Sequence, residues 1–522
     1  MVILPVSMFT RPLQELRRQF ADSPPASIGP WSSISRLSAS SPVAQGFPLL
    51  YRRFSTCRSP ETGGIKTGPI PVVLLLILGI VFSGAGALAD PSTPYGLPSR
   101  PAIKAYLRMP QSDQQPPPLL LSQTGAFKDP RGLKPADGLI PYDINVAFYS
   151  DGAAKSRWVS IPSVGEVTNT RIHFAPTGEW QFPAGTVFVK HFEMATDETK
   201  PEVRRRLETR LLVRDANGGV YGATYKWRAD NSDADLLSSN LTETLAIQTA
   251  SGFRTQTWYY PSRQDCKTCH TPGAGGVLGV KTRQMNRDFC YPSGVIDNQL
   301  RSWNHVRLFE PELKESDIAT YARLAPAGDV SRSLDERARS YLDVNCAYCH
   351  RPGGTVAYFD ARYDVPRERQ NLVNGQVLID EGLDKAKVIA PNDIWRSVAL
   401  LRVSSLEGVK MPPLAHETID HQGVRLLREW IQSLPGPKVV TPPQFSLRGG
   451  RFHAPVEVAL RDQEPGTEIR YTTDGTTPTS SDLLYQGPIR LGESTTLRAR
   501  AFKPGFVKSI AVQETFVFPT AP

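Results

Sequence analysis

"DVNCAYCHRPGG", residues 343–354, places two cysteines and a histidine within five consecutive positions of a 522-residue chain that has only six cysteines and eight histidines. "RQDCKTCH", residues 263–270, repeats the arrangement. Two copies of C-x-x-C-H are a poor fit to chance at this composition, and the chemistry that demands the spacing is covalent haem attachment. Each thiol adds to a vinyl group on the porphyrin edge, two intervening residues let both thiols reach, and the following histidine lies under the iron. Cys266, Cys269, Cys346 and Cys349 are therefore the expected thioether residues of two haem c groups, with His270 and His350 as axial ligands.

Three other readings of the same residues compete. A four-thiolate zinc site spaces its C-x-x-C halves by about 15 to 20 residues, whereas 76 residues separate Cys269 from Cys346. A thioredoxin-like dithiol wants a βαβ setting, and simple disulfides suit an exported chain, but neither requires a histidine after both pairs.

An export signal would place the chain where such attachment occurs. In "GIKTGPIPVVLLLILGIVFSGAGALAD" an apolar run from Ile70 to Phe82 follows Lys66 and leads to small residues ending in Ala87-Leu88-Ala89, the sections of a secretory signal at 67–89 with cleavage after Ala89. The run is shorter than the roughly 20 residues of a membrane span, so no stable span is expected after cleavage, and the expected location is periplasmic or otherwise exported. Residues 1–66, rich in Ser, Pro and Arg, read as a disordered extension or a start site placed too early. They carry +5 of the formal net charge of +9. The remainder shows no basic stripe with interleaved aromatics, which argues against a nucleic-acid partner.

Downstream, 90–139 is Pro-rich and reads as a linker. Residues 140–262 alternate in short runs, with Asn217-Gly218-Gly219 as a hairpin turn between two of them, and read as an antiparallel, sandwich-like β domain. Trp158, Trp180, Trp227 and Trp258 are expected to be its core aromatics, with carbohydrate stacking as the other role open to them. Residues 263–330 form the first haem-binding segment.

The second motif has a helical setting. Ser333 and Glu336 form a capping box, and Ala338, Leu342 and Val344 continue a helix that ends at the cysteines. "IDHQGVRLLREWIQSLPG" puts Val424, Leu427, Trp430, Ile431 and Leu434 on one face and stops at Pro435-Gly436. Between them Met411 stands 61 residues after His350, followed by Pro412 and Pro413. Through Cys346, Cys349, His350, "APNDIWRSVALLRV" and Met411, residues 331–437 resemble a class I cytochrome c domain. The wider stretch 120–437, including "PYDINVAFYSDGA", "RRLETRLLVRDANGG" and "LGVKTRQMNRDF", resembles a bacterial family of di-haem c-type proteins with an N-terminal β domain. The resemblance implies a mostly α haem domain at 331–437, Met411 as sixth ligand of the second haem, and electron transfer as its task, since a His and Met pair leaves no open iron position.

No motif completes the first haem. His191, Met285, His305 and His173 compete, with His191 or Met285 ahead. An iron left open there would make the chain a peroxidase-like or oxidising enzyme fed by the second haem. Cys290 is expected to be a buried free thiol.

Beyond "PGPKVVTPPQF", residues 440–522 show short strands separated by Gly, Pro, Asp and Thr turns, the pattern of a small Ig-like sandwich. "IRYTTDGTTPTSSDLLYQGPI" resembles the C-terminal domain of chitobiase and β-hexosaminidase. With no acid pair apparent, that resemblance gives no basis for expecting glycosidase activity, and Asp474 reads as a turn former. The whole is thus expected to be a multidomain α+β protein. Its expected function is exported di-haem electron transfer with a periplasmic redox protein partner, and a glycan contact through the C-terminal module is the third functional class.

Overall fold

The computed structural model describes residues 94–165, 169–355, 358–462 and 464–519; the expected extension at 1–66, the export signal at 67–89 and Cys57 lie outside them. Strand outweighs helix, 29% against 16%. Among the described residues no helix is long and apolar enough to cross a membrane. Residues 94–326 with 353–355 form one compact unit, and 327–352 with 358–519 form another.

The first unit is built on a six-stranded antiparallel sheet whose strand order follows the chain: β1 (Ile140–Pro141), β2 (Ala154–Ser160), β3 (Val187–Ala195), β4 (Arg204–Arg214), β5 (Val220–Trp227) and β6 (Ala234–Leu236). The turn from β4 to β5 forms where glycine was expected to allow it: Gly218 has φ +83°, and the Asp215 carboxylate accepts from Asn217 N at 2.9 Å and Gly219 N at 2.7 Å. Adjacent side chains of a strand point to opposite faces, so the sheet has two distinct surfaces. On one, Trp158, Val189, Leu211, Tyr221 and Tyr225 pack against Ile103, Met109, Leu121 and Phe127. On the other, Val159 and Phe188 pack against Val277, Val280, Met285, Trp303 and Phe309.

Two expectations change here. The stretch 94–139 is not a linker, because its scattered apolar side chains cover one face of the sheet and remove each other from water. The unit is not two facing sheets either: largely irregular segments with short two-stranded pairs cover both faces, and the longest added β element is the hairpin β7 (Leu241–Thr249) and β8 (Gly252–Tyr260), packing Leu245, Ile247 and Trp258 on Phe192 and Leu207. Trp158, Trp180, Trp227 and Trp258 are all at most 3% exposed, which makes them core residues and removes them as stacking platforms. Helix α1 (Arg263–Cys269) follows β8, and α2 (Gln299–His305) lies later in the same unit.

The second unit contains α3 (Leu334–Asn345), α4 (Val398–Val403) and α5 (His421–Ser433). The Ser333 capping box forms, with Glu336 N donating to Ser333 Oγ at 3.2 Å and Ser333 N donating to Glu336 Oε2 at 3.0 Å. Val424, Leu427, Trp430, Ile431 and Leu434 are buried together, as their spacing predicts, with Ala338, Tyr341 and Leu342 of α3. Trp430 Nε1 donates to Asp335 Oδ1 at 2.9 Å, pinning α5 to the start of α3. Yet 331–437 is not mostly α. Helices of 12, 6 and 13 residues leave most of it irregular, and left-handed residues such as Asn371, Asn374, Glu381, Lys385 and Asn392 interrupt regular structure between α3 and α4.

The C-terminal module has a five-stranded sheet made of β9 (Gly450–Arg451), β10 (Glu468–Thr472), β11 (Leu483–Leu484), β12 (Thr495–Phe502) and β13 (Val512–Val517), in the order β9-β13-β12-β10-β11. Leu497 and Phe516 of this sheet meet Val458 and Leu491 of a separate strand pair in one core, giving two layers. Asp474 is the expected turn former, accepting from Thr476 N at 2.9 Å and Thr476 Oγ1 at 2.6 Å. The module is not strung on a free linker. Leu460, Ile469, Ala499 and Val512 share a buried cluster with Leu383, Val398 and Leu401, and Asp384 bridges Arg396 at 3.1 Å and Arg500 of β12 at 3.0 Å.

The crossing of α3 and α5 depends on Gly423. A Cβ there would lie 2.4 Å from the Tyr341 ring. Gly423→Ala gains about 1 kcal/mol of helix propensity, while forcing the ring aside costs about 1–3 kcal/mol. We expect Gly423→Ala to lower the thermal midpoint despite the better helix former, and Tyr341→Leu to recover part of the loss in the double variant. A midpoint raised by Gly423→Ala alone would contradict the close crossing.

Candidate functional site

Both C-x-x-C-H motifs lie at the end of a helix, and in both the histidine amide bonds back to the first cysteine. In the first, Ser262 caps α1: its hydroxyl accepts from Asp265 N at 3.2 Å, and Asp265 Oδ2 accepts from Ser262 N at 2.8 Å and from the Tyr259 hydroxyl at 2.8 Å. Cys266, Cys269 and His270 fall at i, i+3 and i+4, with His270 as the residue that closes α1. His270 N donates to Cys266 O at 3.0 Å. In the second, Cys346 is the residue after α3, and His350 N donates to Cys346 O at 2.9 Å. All four motif cysteines are outside any disulfide.

The imidazoles are held in ways that suit an axial ligand. His270 Nδ1 lies 2.7 Å from Gly276 O. A carbonyl cannot donate, so Nδ1 carries the proton and Nε2 keeps its lone pair. Burial lowers the His270 pKa to about 4, the Gly276 bond opposes this, and Lys190 and Arg210 add to the lowering, so the ring is neutral at ordinary pH. His350 stacks on Phe359, with ring centroids 4.1 Å apart and planes 13° off parallel. Stacking on Phe359 fixes the plane of the ring. These features fit an iron held by each histidine, with the paired thiols on the same turn for attachment.

Cys266 and Cys346 are not activated as thiols. Burial, then Cys349 and Asp343, push the Cys346 thiol up to about 12, and burial leads the upward shift at Cys266. A dithiol exchange site needs a thiolate at neutral pH, and neither of these two cysteines supplies one. Among the described residues no group of three or more His, Cys, Asp and Glu is arranged to hold a bare metal ion.

Of the expected sixth ligands of the first site, His191 is turned away from His270. His191 pairs with Ser156 and Thr209 and points into the opposite face of the sheet, where Nδ1 meets Thr209 Oγ1 at 2.9 Å and the ring meets Trp227 edge-on at 5.6 Å. Met285 is fully buried in the apolar cluster with Trp180 and Trp303. His305 stacks on Tyr95 at 3.6 Å, and the backbone of His173 pairs with Gln181 and Glu310. Cys290 is disulfide-bonded and is not the expected free thiol.

At the second site Met411 is half-buried on the loop after α4, and its amide donates to Arg402 O at 3.0 Å. His416, only 2% exposed, hydrogen-bonds the Met411 backbone. Lys410 Nζ closes the loop by donating to Glu417 Oε1 at 2.7 Å. Sequence reasoning passed over His416, Lys190, Arg210 and Gly222. A Cβ at Gly222 would meet Cys266 Sγ at 2.5 Å, so this glycine of β5 is the seat of α1 on the sheet. The available signal was a glycine and two basic residues at inward positions of strands.

Residues 447–514, within the C-terminal module, match the chitobiase/beta-hexosaminidase C-terminal domain family. No cytochrome c family is matched over the rest of the chain. A comparison with curated proteins finds no match. The family match covers a small part of the chain and speaks for that module alone.

The state of His270 predicts a pH dependence. The unfolded chain binds a proton near 6.5 and the folded chain only near 4, so between these values the unfolded state holds more protons and stability rises with pH. The haem-free chain should therefore lose stability as pH falls from about 6.5 to about 4 and level off below. His191 and His416, also lowered by burial, contribute equally to wild type and to His270→Gln, so the difference between the two isolates His270. A difference in thermal midpoint that stays constant across that window would refute the assignment.

Proposed function

We propose that this chain is an exported di-haem c-type cytochrome that accepts and passes on electrons, with haem held at Cys266, Cys269 and His270 and again at Cys346, Cys349 and His350. The observation that carries the reading is the shared geometry of the two motifs: cysteines and histidine on one turn, with the imidazole of the first fixed so that Nε2 is the free nitrogen. Bound haem supplies reversible one-electron transfer at iron.

The chain's own residues would hold and tune that group. Gly276 O orients His270 and raises its basicity as a ligand. Phe359 fixes the plane of His350. Met411 is the proposed sixth ligand of the second haem, and the bond from His416 and the amide bond to Arg402 O would set its loop. A redox protein partner is proposed to dock through a small interface, as suits fast exchange. The C-terminal module is compatible with carbohydrate contact, on its family match.

Haem staining of a denaturing gel tests the reading. Wild type should retain two equivalents of haem after denaturation. Cys266→Ala with Cys269→Ala, and Cys346→Ala with Cys349→Ala, should each retain one. Met411→Ala should keep both equivalents but convert the second haem to a high-spin spectrum. Loss of all stain on denaturation would rule out covalent haem, and carbon monoxide binding by the reduced wild type would favour an open, enzymatic first site.

A further inference from the structure

The pleat that turns His191 away turns Lys190 toward the first motif. Lys190 pairs with Arg157 of β2 and Arg210 of β4, and Arg210 pairs with Thr224 of β5, so these four side chains form one row across four strands. The neighbouring row on the same face is Phe188, Leu212 and Gly222, where Cys266 Sγ is seated. The row therefore lies beside the motif, and both Lys190 and Arg210 are close enough to His270 to weaken its hold on a proton.

Three cations of this face have partners. Arg157 Nη1 pairs with Asp143 at 2.9 Å, and Arg210 Nη2 with Glu208 at 2.5 Å. Lys155 Nζ donates to the carbonyls of Phe148, Tyr149 and Ala153 at 2.9, 3.2 and 3.0 Å. Lys190 differs. Among the described residues its ammonium meets only the Phe192 ring, at 5.0 Å, with neither an ion pair nor a hydrogen-bond acceptor. Burial, then Arg157, Lys155 and Arg210, disfavour its charge; only Glu208, whose Oε1 is already paired with Arg210, opposes them from a distance. A cation left this way among like charges is costly unless an anion joins it.

We propose that Lys190, in the Arg157–Lys190–Arg210 row beside His270, receives a carboxylate or small oxyanion at the first C-x-x-C-H site. The proposal rests on the di-haem reading, because one source of such an anion is a propionate of the attached porphyrin; the other is a free anion brought to the iron. A compact ammonium with three donors suits either.

The test compares full, haem-loaded wild type, Lys190→Gln and Lys190→Arg by potentiometric titration of each haem and by optical titration with nitrite. If the anion is a propionate, Lys190→Gln lowers the potential of the first haem only, because losing a positive charge favours the ferric state, while Lys190→Arg stays near wild type. If the anion is free, potentials measured without nitrite are unchanged and nitrite affinity falls at least about tenfold in Lys190→Gln, a loss of roughly 1.4 kcal/mol. Unchanged potentials together with unchanged nitrite affinity overturn the proposal. A second measurement stands apart from loading: in a Cys266→Ala and Cys269→Ala background, which cannot hold the group, Lys190→Gln should raise the thermal midpoint by removing an uncompensated charge. A fall there would show a protein partner for Lys190 and overturn the proposal. Haem staining of the same samples separates the two readings: a wild type without haem at the first motif removes the di-haem reading and this proposal with it.

Discussion

The period-two alternation of the six-stranded sheet constrains the rest of the first unit. Along β3, Val189 and His191 face the core under 94–139, while Phe188, Lys190 and Phe192 face the layer that carries the first motif. A one-residue shift of register would exchange these sets. Because Gly222 belongs to the second set, α1 can lie against β5 with Cys266 in contact. The same alternation separates a histidine from a lysine that are neighbours in sequence, and so decides which of them a group held at His270 can meet.

In the second unit the corresponding constraint is the close crossing of α3 and α5. Gly423 against Tyr341 and Trp430 against Asp335 fix the two helices, and Cys346 follows directly from the end of α3. The C-terminal module adds to this unit through an ionic link of two buried arginines to one half-buried carboxylate. Arg396 and Arg500 are 3% and 4% exposed and share the Asp384 carboxylate. Buried ion pairs contribute little net stability against an apolar substitute, but removing one partner leaves an uncompensated charge. Their value here is in fixing one docking geometry over the apolar cluster around Val398 and Val512.

Much of the local structure was legible in the chain. The Ser333 capping box, the apolar face of α5, the turn at Gly218, the C-terminal β module and the turn role of Asp474 follow from short-range chemistry, and each forms. Three readings failed where the deciding contacts are distant in sequence. Prolines in 94–139 suggested a linker, yet Ile103, Met109 and Leu121 find Trp158 and Tyr225. Periodic segments around the second motif suggested a mostly α domain, yet the stretch between α3 and α4 is irregular. His191 was ranked as a ligand by residue type, and only strand pairing reveals its direction.

The sequence by itself determined the two C-x-x-C-H motifs, the helix that leads into the second and the small β module, because each depends on residues within a turn or two of one another. Tertiary structure alone decided that Gly276 O fixes the tautomer of His270, that Gly222 seats Cys266, that Lys190 rather than His191 faces the first motif, and that the C-terminal module shares a core with α4. These depend on which strands and loops meet, and side-chain direction across a sheet follows from pairing register, which composition and spacing do not encode.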